Sequence, residues 1–265
     1  GIVFNGEIYN FLELKKTLVA GGHKFVSTSD TEVIIALYEK DGERCFAKLD
    51  GMFAIALYDR QTKKLLLARD RMGKKPLYFG TWGGTLVFGS EPKALLAHPL
   101  VKKEINSFAL NAYFALDYVP TPLSIWKGME KLEPGWFLVY EEGNIRKERF
   151  WNPDFHETPI AFADALTELD RRLRHAVSSR LISDVPLGIF LSGGLDSSTI
   201  AYYAARAKSE RGEKIHTFSI GFSEKSFNES LYAENVAKHL DTIHHNRILS
   251  GEDSLKVISE IFSRL

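Results

Sequence analysis

The sequence contains one cysteine, Cys45, among its 265 residues. A single cysteine cannot form an internal disulfide, and Cys45 has no cysteine or histidine partner at metal-ligand spacing. We therefore reject Cys45 as a catalytic nucleophile and expect it to be a small residue of the core or of a helix.

Net charge is absent as well, because 34 lysines and arginines balance 34 aspartates and glutamates. A neutral chain offers no electrostatic argument for binding nucleic acid or an anionic membrane. No apolar run approaches the roughly 20 residues that span a bilayer, and no signal peptide pattern is visible. We expect a cytoplasmic protein that binds small molecules, without a nucleic acid or membrane partner.

Both ends of the chain lack the features of a natural terminus. It starts with Gly1 instead of methionine, and residues 261–265 continue a predicted helix. We therefore expect a piece of a longer protein, truncated at both ends.

The 265 residues are enough for one large or two medium domains, and an apolar content of 45% allows a substantial core. The first 151 residues predict several antiparallel strands, together with helices at 11–20, from 30 onward, at 91–98 and at 107–117. The predicted strands lie at residues 51–59, 63–70, 76–80, 85–90, 135–140 and 145–151. This pattern predicts an α+β domain with layered antiparallel sheets.

Local patterns make further predictions in this first domain. Residues 24–27 read as a short strand. The pairs Asn10 with Glu13 and Ser29 with Glu32 have the spacing of capping boxes, which predicts an N-cap side chain at each helix start. The basic segment 69–75 is interpreted as a solvated turn without chemistry, in preference to a phosphate site.

A polar segment with two prolines, residues 152–159, is the best candidate for a domain boundary. After it, an amphipathic helix at 162–180 precedes alternating strands and helices, which predict a parallel sheet. The expected domains are therefore residues 1–151 and 160–265. Ligands of parallel sheets bind at the carboxyl ends of the strands.

The sequence Ser-Gly-Gly-Leu-Asp-Ser at residues 192–197 follows one of these strands and opens a helix. A glycine turn at a helix N-terminus directs backbone N–H groups at one point, which predicts a phosphate site. It lacks the lysine of the Gly-x-x-x-x-Gly-Lys loop and the spacing of the dinucleotide fingerprint. It resembles the pyrophosphate loop of enzymes that split ATP into AMP and pyrophosphate.

Two other polar patterns are ambiguous when taken singly. Asn5-Gly6 alone is more typical of a turn, and Asp30 alone is typical of a helix start. His244 and His245 are neighbours on a predicted strand, so their side chains lie on opposite faces and can hardly bind one ion. We interpret them as structural or as lining the nucleotide side.

The motifs in their order resemble the class II glutamine amidotransferase domain and, over nearly the whole chain, the glutamine-hydrolysing asparagine synthetases. The motifs are Asn-Gly-Glu-Ile-Tyr-Asn at 5–10, Ser-Asp-Thr-Glu-Val-Ile at 29–34, Leu-Asp-Gly-Met-Phe-Ala at 49–54, residues 68–78, Gly-Ser-Glu-Pro-Lys-Ala-Leu at 89–95, the loop at 192–197, and residues 216–222 and 239–245.

For the first domain, the resemblance implies an N-terminal-nucleophile-hydrolase-like αββα fold with glutaminase activity. Asn5 and Gly6 would form the oxyanion hole, a role worth roughly 3–4 kcal/mol per donor. Glu7 and Asp30 would bind the α-amino and backbone groups of glutamine. The family's nucleophilic cysteine and its glutamine-binding arginine are not in this sequence, so we expect the chain alone to be inactive.

For the second domain, the resemblance implies an α/β adenine-nucleotide fold, with ATP and Mg²⁺ as cofactors. Leu191 and Ile220 would lie against the AMP moiety, and the phosphates would contact Ser192, Gly193, Gly194, Asp196 and Ser197. Asp196 would help to hold Mg²⁺, which usually binds one or two carboxylates plus phosphates. The resemblance also allows a homodimer.

The implied reaction transfers ammonia from glutamine to the adenylated side chain of aspartate, giving asparagine, AMP and pyrophosphate. One alternative is a related amidotransferase acting on a cell-wall, exopolysaccharide or secondary-metabolite carboxylate. A second is a non-catalytic paralogue, which the intact loop argues against. A third is a tRNA-modifying ATP pyrophosphatase, which the neutral charge and the amidotransferase motifs argue against.

Overall fold

The computed structural model describes residues 1–183, 185–223 and 228–264. The chain divides into two compact units, Gly1–His156 and Glu157–Leu265.

The first unit contains a five-stranded and a three-stranded sheet, both antiparallel, with helices between their strands. The larger sheet has the order β1-β2-β3-β7-β8, and the smaller one has the order β5-β4-β6. The elements are β1 (Ile2–Ile8), α1 (Phe11–Ala20), α2 (Asp30–Asp41), a 3₁₀ helix (Gly42–Lys48), β2 (Gly51–Asp59), β3 (Lys64–Arg69), β4 (Tyr78–Trp82), β5 (Thr85–Gly89), α3 (Pro92–Leu96), α4 (Ser107–Leu116), β6 (Glu130–Lys131), β7 (Trp136–Glu141) and β8 (Asn144–Arg149).

The alternation of side chains along β2 gives the larger sheet two apolar faces. Phe53 and Ile55 belong to a core with residues of α1 and α2. Ala54 and Ala56 belong to a second core, which includes Phe79 of the smaller sheet. One face of the larger sheet therefore packs on helices, and the opposite face packs on the smaller sheet.

The predicted strand at residues 24–27 is wrong, and the Glu32 side chain explains why. Its carboxylate accepts hydrogen bonds from the backbone N–H groups of Val26 and Ser27, at 2.9 and 2.7 Å. Those N–H groups are therefore engaged by a side chain and not by a neighbouring strand. The segment is an irregular loop held to the first turn of α2.

The two predicted capping boxes have different outcomes. Ser29 is the N-cap of α2, since its hydroxyl accepts from the N–H of Thr31 at 3.1 Å, but Glu32 bonds the preceding loop instead of completing the box. At α1 the side-chain cap is wrong. Asn10 makes no cap bond there, and its side chain bonds the backbone of Lys48 and Asp50.

The second unit contains a parallel three-stranded sheet of order β11-β10-β9 with intervening helices. Its elements are α5 (Phe162–Ser179), β9 (Gly188–Phe190), α6 (Leu195–Ser209), β10 (His216–Phe222), α7 (Ser230–His239), β11 (Ile243–Leu249) and α8 (Gly251–Arg264). A small core of Leu191, Ala201, Ala233 and Ala237 joins the sheet to α6 and α7. The predicted alternation of strands and helices is confirmed.

Candidate active sites

The backbone of β1 directs a free N–H group at an open strand edge. Gly1 and Tyr58 exchange both backbone hydrogen bonds, and the N–H of Tyr9 bonds the carbonyl of Asp50. Because bonded and non-bonded pairs alternate along antiparallel strands, the N–H groups of Gly6 and Ile8 face away from β2. No strand pairs with that edge of β1 among the described residues.

Gly6 is required at this point by its close approach to β2. A Cβ atom on Gly6 would lie 2.0 Å from the carbonyl oxygen of Met52 and 2.8 Å from the Cα of Phe53. Any side chain would push the two strands apart. Glycine therefore keeps β1 in register while its N–H remains available at the edge.

The side chain of Asn5 lies next to this edge and is exposed. Its register partner is Ala54, so it lies on the face that packs against the smaller sheet. The Nδ2 atom of Asn5 donates a hydrogen bond to the Oγ atom of Ser90 at 3.0 Å. Ser90 was not among the predicted site residues, although it belongs to the motif at residues 89–95.

Asp30 and Glu7 have different surroundings. Asp30 is half-buried at the first residue of α2, and its Oδ2 accepts from the N–H of Ile8 at 3.0 Å. It therefore lies on the same edge as the Gly6 N–H, about 7 Å along the strand. Glu7 is exposed on the same face as Asn5, and its carboxylate has no bonding partner among the described residues.

The basic segment at 69–75 is a turn with Met72 and Lys74 exposed, as predicted, but its first two residues are buried and support β2. Arg69 and Asp70 are 9% and 1% exposed. The guanidinium of Arg69 donates to three backbone carbonyls, those of Lys75, Leu132 and Gly73. The carboxylate of Asp70 accepts from four backbone N–H groups, of Phe53 and of residues 72, 74 and 75. Arg69 and Asp70 therefore form a buried polar framework behind the strand that faces Gly6.

In the second unit, the predicted phosphate loop connects β9 to α6. Gly193 has a φ of +84°, and a Cβ there would lie 2.6 Å from the backbone of Tyr232 in α7. Glycine thus permits both the left-handed turn and the close approach. The hydroxyls of Ser192 and Ser197 lie 3.0 Å apart, and α6 begins at Leu195.

The amides of this loop are weakly engaged by its own serines. The N–H groups of Ser192 and Gly194 bond serine hydroxyls at 3.3 Å, which is long for a hydrogen bond. Asp196 is exposed in the first turn of α6, and it makes no hydrogen bond or ion pair within the described residues. Weakly held amides at a helix start suit a pyrophosphate, and a free carboxylate suits Mg²⁺ bound beside phosphates.

A cleft of about 310 Å³ opens beside the carboxyl end of β9 and the middle of β10. It is lined by three predicted nucleotide residues, Leu191, Ser192 and Ile220. It also includes Phe218 and Glu229, which the sequence did not single out. Phe218 could have been predicted from the sequence, because it lies two residues before Ile220 and therefore on the same face of the strand.

His244 and His245 lie on opposite faces of β11, as predicted. The ring nitrogens of His244 contact the hydroxyls of Thr217 and Ser219, at 2.9 and 3.1 Å. His245 contacts His216 at 2.9 Å and stacks on it. The two imidazoles therefore do not share a ligand.

Cys45 lies in the 3₁₀ helix, and its burial raises the pKa of the thiol to about 12.

The described residues contain no group of three or more His, Cys, Asp or Glu arranged to hold a metal. None of the described helices has both the length and the apolar character needed to cross a membrane. A cleft of about 580 Å³ beside Gly1 and Tyr38 includes none of the predicted site residues.

Comparison with known proteins gives two family matches. Residues 1–151 match the glutamine amidotransferase domain, and residues 168–265 match asparagine synthase. A solved structure of glutamine phosphoribosylpyrophosphate amidotransferase from Bacillus subtilis aligns with 93% of this chain and 60% of its own, with a TM-score of 0.40 and 18% identity. That score is too low to equate the two folds.

Curated relatives match 98% of the chain. They include asparagine synthetase [glutamine-hydrolyzing] 3 of Bacillus subtilis, 36% identical over 44% of its length. A putative asparagine synthetase [glutamine-hydrolyzing] 2 of Methanocaldococcus jannaschii is 39% identical over 50% of its length. The chain spans about half the length of these relatives. The chain therefore belongs to the glutamine-hydrolysing asparagine synthetase family.

Proposed function

We propose that the protein forms the amide of asparagine from aspartate, with glutamine as nitrogen donor and ATP as energy source. One site hydrolyses glutamine to glutamate and ammonia. The other adenylates the side-chain carboxylate of aspartate and releases pyrophosphate. Adenylation is needed because a bare carboxylate does not react with ammonia, whereas a mixed anhydride carries AMP as a leaving group.

The observation that carries this proposal is the loop at residues 192–197. Its weakly engaged amides lie at the carboxyl end of β9, next to the cleft that includes Leu191 and Ile220. We assign AMP to Leu191 and Ile220, and the phosphates to Ser192, Gly193, Gly194, Asp196 and Ser197. Mg²⁺, when bound, would neutralise phosphate charge next to Asp196.

For glutamine hydrolysis, we assign the oxyanion hole to the Gly6 N–H and the Asn5 amide. A backbone N–H at an open edge and a neighbouring amide are donors suited to a tetrahedral oxyanion. Asp30, which lies on the same edge, and Glu7 would bind the α-amino and backbone groups of glutamine.

The corresponding fold and domain assignments are part of the same proposal. Residues 1–151 would be a glutaminase domain of αββα type, and residues 160–265 an ATP pyrophosphatase domain. The names of the relatives support aspartate as acceptor. A cytoplasmic location and a homodimer stay predictions, the second of which a measurement of mass in solution would check.

The test uses the full-length gene product with glutamine, ATP and Mg²⁺, and varies the acceptor carboxylate. We expect AMP and pyrophosphate to form when aspartate is supplied and not with other carboxylates. AMP formation that is independent of aspartate would contradict the proposed acceptor. It would favour an amidotransferase of a different pathway.

A further inference from the structure

We propose that Ser90 is a positioning residue for glutamine hydrolysis and acts by orienting the amide of Asn5. This inference rests on the proposed function, since it assumes that Asn5 donates to the oxyanion. Ser90 itself touches no substrate in this scheme. Its role is to hold a donor that would otherwise rotate.

Asn5 needs such support because its side chain is exposed on an edge strand. The terminal torsion of an asparagine side chain has a broad energy profile, so a free amide samples many orientations. A donor contributes most to catalysis when it is already aimed at the position where charge develops. An unrestrained Asn5 amide would lose that advantage.

The bond to Ser90 supplies the restraint. One N–H of the Asn5 amide donates to the Ser90 Oγ at 3.0 Å. An asparagine amide has two N–H groups, so the second remains for a ligand. The Ser90 hydroxyl thus fixes the plane of the amide while it uses only one of the two donors.

The backbone of Ser90 lies between β5 and α3, and the residues on both sides of it are held in place. The preceding Gly89 packs so tightly that a Cβ there would lie 3.1 Å from the side chain of the buried Leu95. The N–H of Ala94 bonds the carbonyl of Glu91, which closes the first turn of α3. The backbone at Ser90 therefore has a defined position relative to the smaller sheet, and this sheet packs on the face of β2 next to Asn5.

The test compares Ser90→Ala and Ser90→Thr in the full-length protein, with hydrolysis measured as glutamate formation. Ser90→Ala should lower kcat for hydrolysis about 10-fold and change the KM for glutamine less than about twofold, because orientation and not binding is lost. Ser90→Thr retains the hydroxyl and should restore most of the rate. Synthesis with added ammonia should be unchanged in both variants.

A double-mutant cycle separates positioning from general stability. If Ser90 acts through the amide, Ser90→Ala should have no further effect on hydrolysis when Asn5 is already alanine. Ser124→Ala is the matched control, since the Ser124 hydroxyl also accepts a bond, from the N–H of Trp126, within the same unit. It should leave the kcat for hydrolysis unchanged.

Three results would overturn the inference. The first is an unchanged kcat for glutamine hydrolysis in Ser90→Ala. The second is a fall in kcat on Ser90→Ala that is as large in the Asn5→Ala background as in wild type. The third is a fall in the rate of ammonia-dependent synthesis in Ser90→Ala. If the wild-type protein hydrolyses glutamine, each of these leaves the proposed function in place. A wild-type protein that does not hydrolyse glutamine would contradict the proposed function, and this inference with it.

Discussion

Gly6 is the residue at which the first candidate site is most sensitive to a single added methyl group. In Gly6→Ala the new Cβ would meet the carbonyl of Met52 at 2.0 Å, so β1 must move away from β2. We expect a loss of about 1–3 kcal/mol in the free energy of unfolding. Glutamine hydrolysis by the full-length protein should fall about 100-fold or more, because a displaced donor no longer meets the oxyanion.

The control for this variant is Gly251→Ala at the start of α8, where no heavy atom lies within 4 Å of the added Cβ. Urea unfolding and glutamate release should both be close to wild type in the control. If Gly6→Ala and Gly251→Ala have the same unfolding free energy and the same rate of glutamate release, the close approach at Gly6 matters neither for stability nor for hydrolysis.

Cys45 predicts a pH dependence in the alkaline range. Burial, aided by the charge of Asp41, raises the pKa of its thiol from 9.0 to about 12. A raised pKa means that the contribution to stability is complete below pH 9 and is lost as pH rises through the folded value. Between pH 7.5 and 10.5, unfolding free energy should fall about 2 kcal/mol more in wild type than in Cys45→Ala. Parallel curves for the two proteins would refute this.

Single residues differ in how far their roles can be predicted from the sequence. Cys45 could be predicted as a buried residue because a lone apolar thiol has no partner to bind. Ser90 and Asp70 could not be predicted in their roles. The partner of Ser90 lies 85 positions away, and Asp70 was misjudged because its basic neighbours suggested solvent exposure. Hydrogen bonds between distant segments depend on the tertiary fold, which residue type alone does not encode.

At the scale of elements, the loop before α2 depends on one carboxylate. Hydrogen bonds from Ser27, both hydroxyl and N–H, and from the N–H of Val26 hold the pKa of Glu32 below its ordinary value of 4.5. A lowered pKa means that the stabilisation is present above pH 4.5 and is lost as pH falls through the folded value. Glu32→Gln should accelerate hydrogen exchange at the amides of Val26 and Ser27 at neutral pH.

Glu39→Gln provides the comparison, because Glu39 is exposed on the same helix. Its effect on exchange at residues 26 and 27 should be negligible. If Glu32→Gln also leaves those two amides protected, another contact must hold the loop.

Most helices and strands could be predicted because their apolar residues recur at the spacing of a helix or a strand. The run at Gly51–Asp59 and the helix at Phe11–Ala20 have the predicted limits. The 3₁₀ helix at Gly42–Lys48 and the two-residue β6 were not predicted, since they are too short for a period to be visible. The strand predicted at residues 24–27 does not form, because the N–H groups of Val26 and Ser27 donate to the Glu32 carboxylate and not to a neighbouring strand.

At the scale of the whole molecule, the two compact units predict separable activities. Asn5→Ala should reduce glutamine hydrolysis by about 100-fold or more and leave ammonia-dependent synthesis intact. Asp196→Asn should abolish synthesis with either nitrogen donor while glutamine hydrolysis continues. Assays of both reactions in the full-length variants measure this, and a variant that loses both activities without unfolding would argue against two sites.

The most direct test of the central claim follows the nitrogen and the nucleotide together. The full-length protein is incubated with glutamine labelled with ¹⁵N in its side-chain amide, aspartate, ATP and Mg²⁺. We predict ¹⁵N in the side-chain amide of asparagine, with AMP and pyrophosphate formed in equal amounts to the product. Release of ADP and phosphate, or asparagine without the label, would contradict the account.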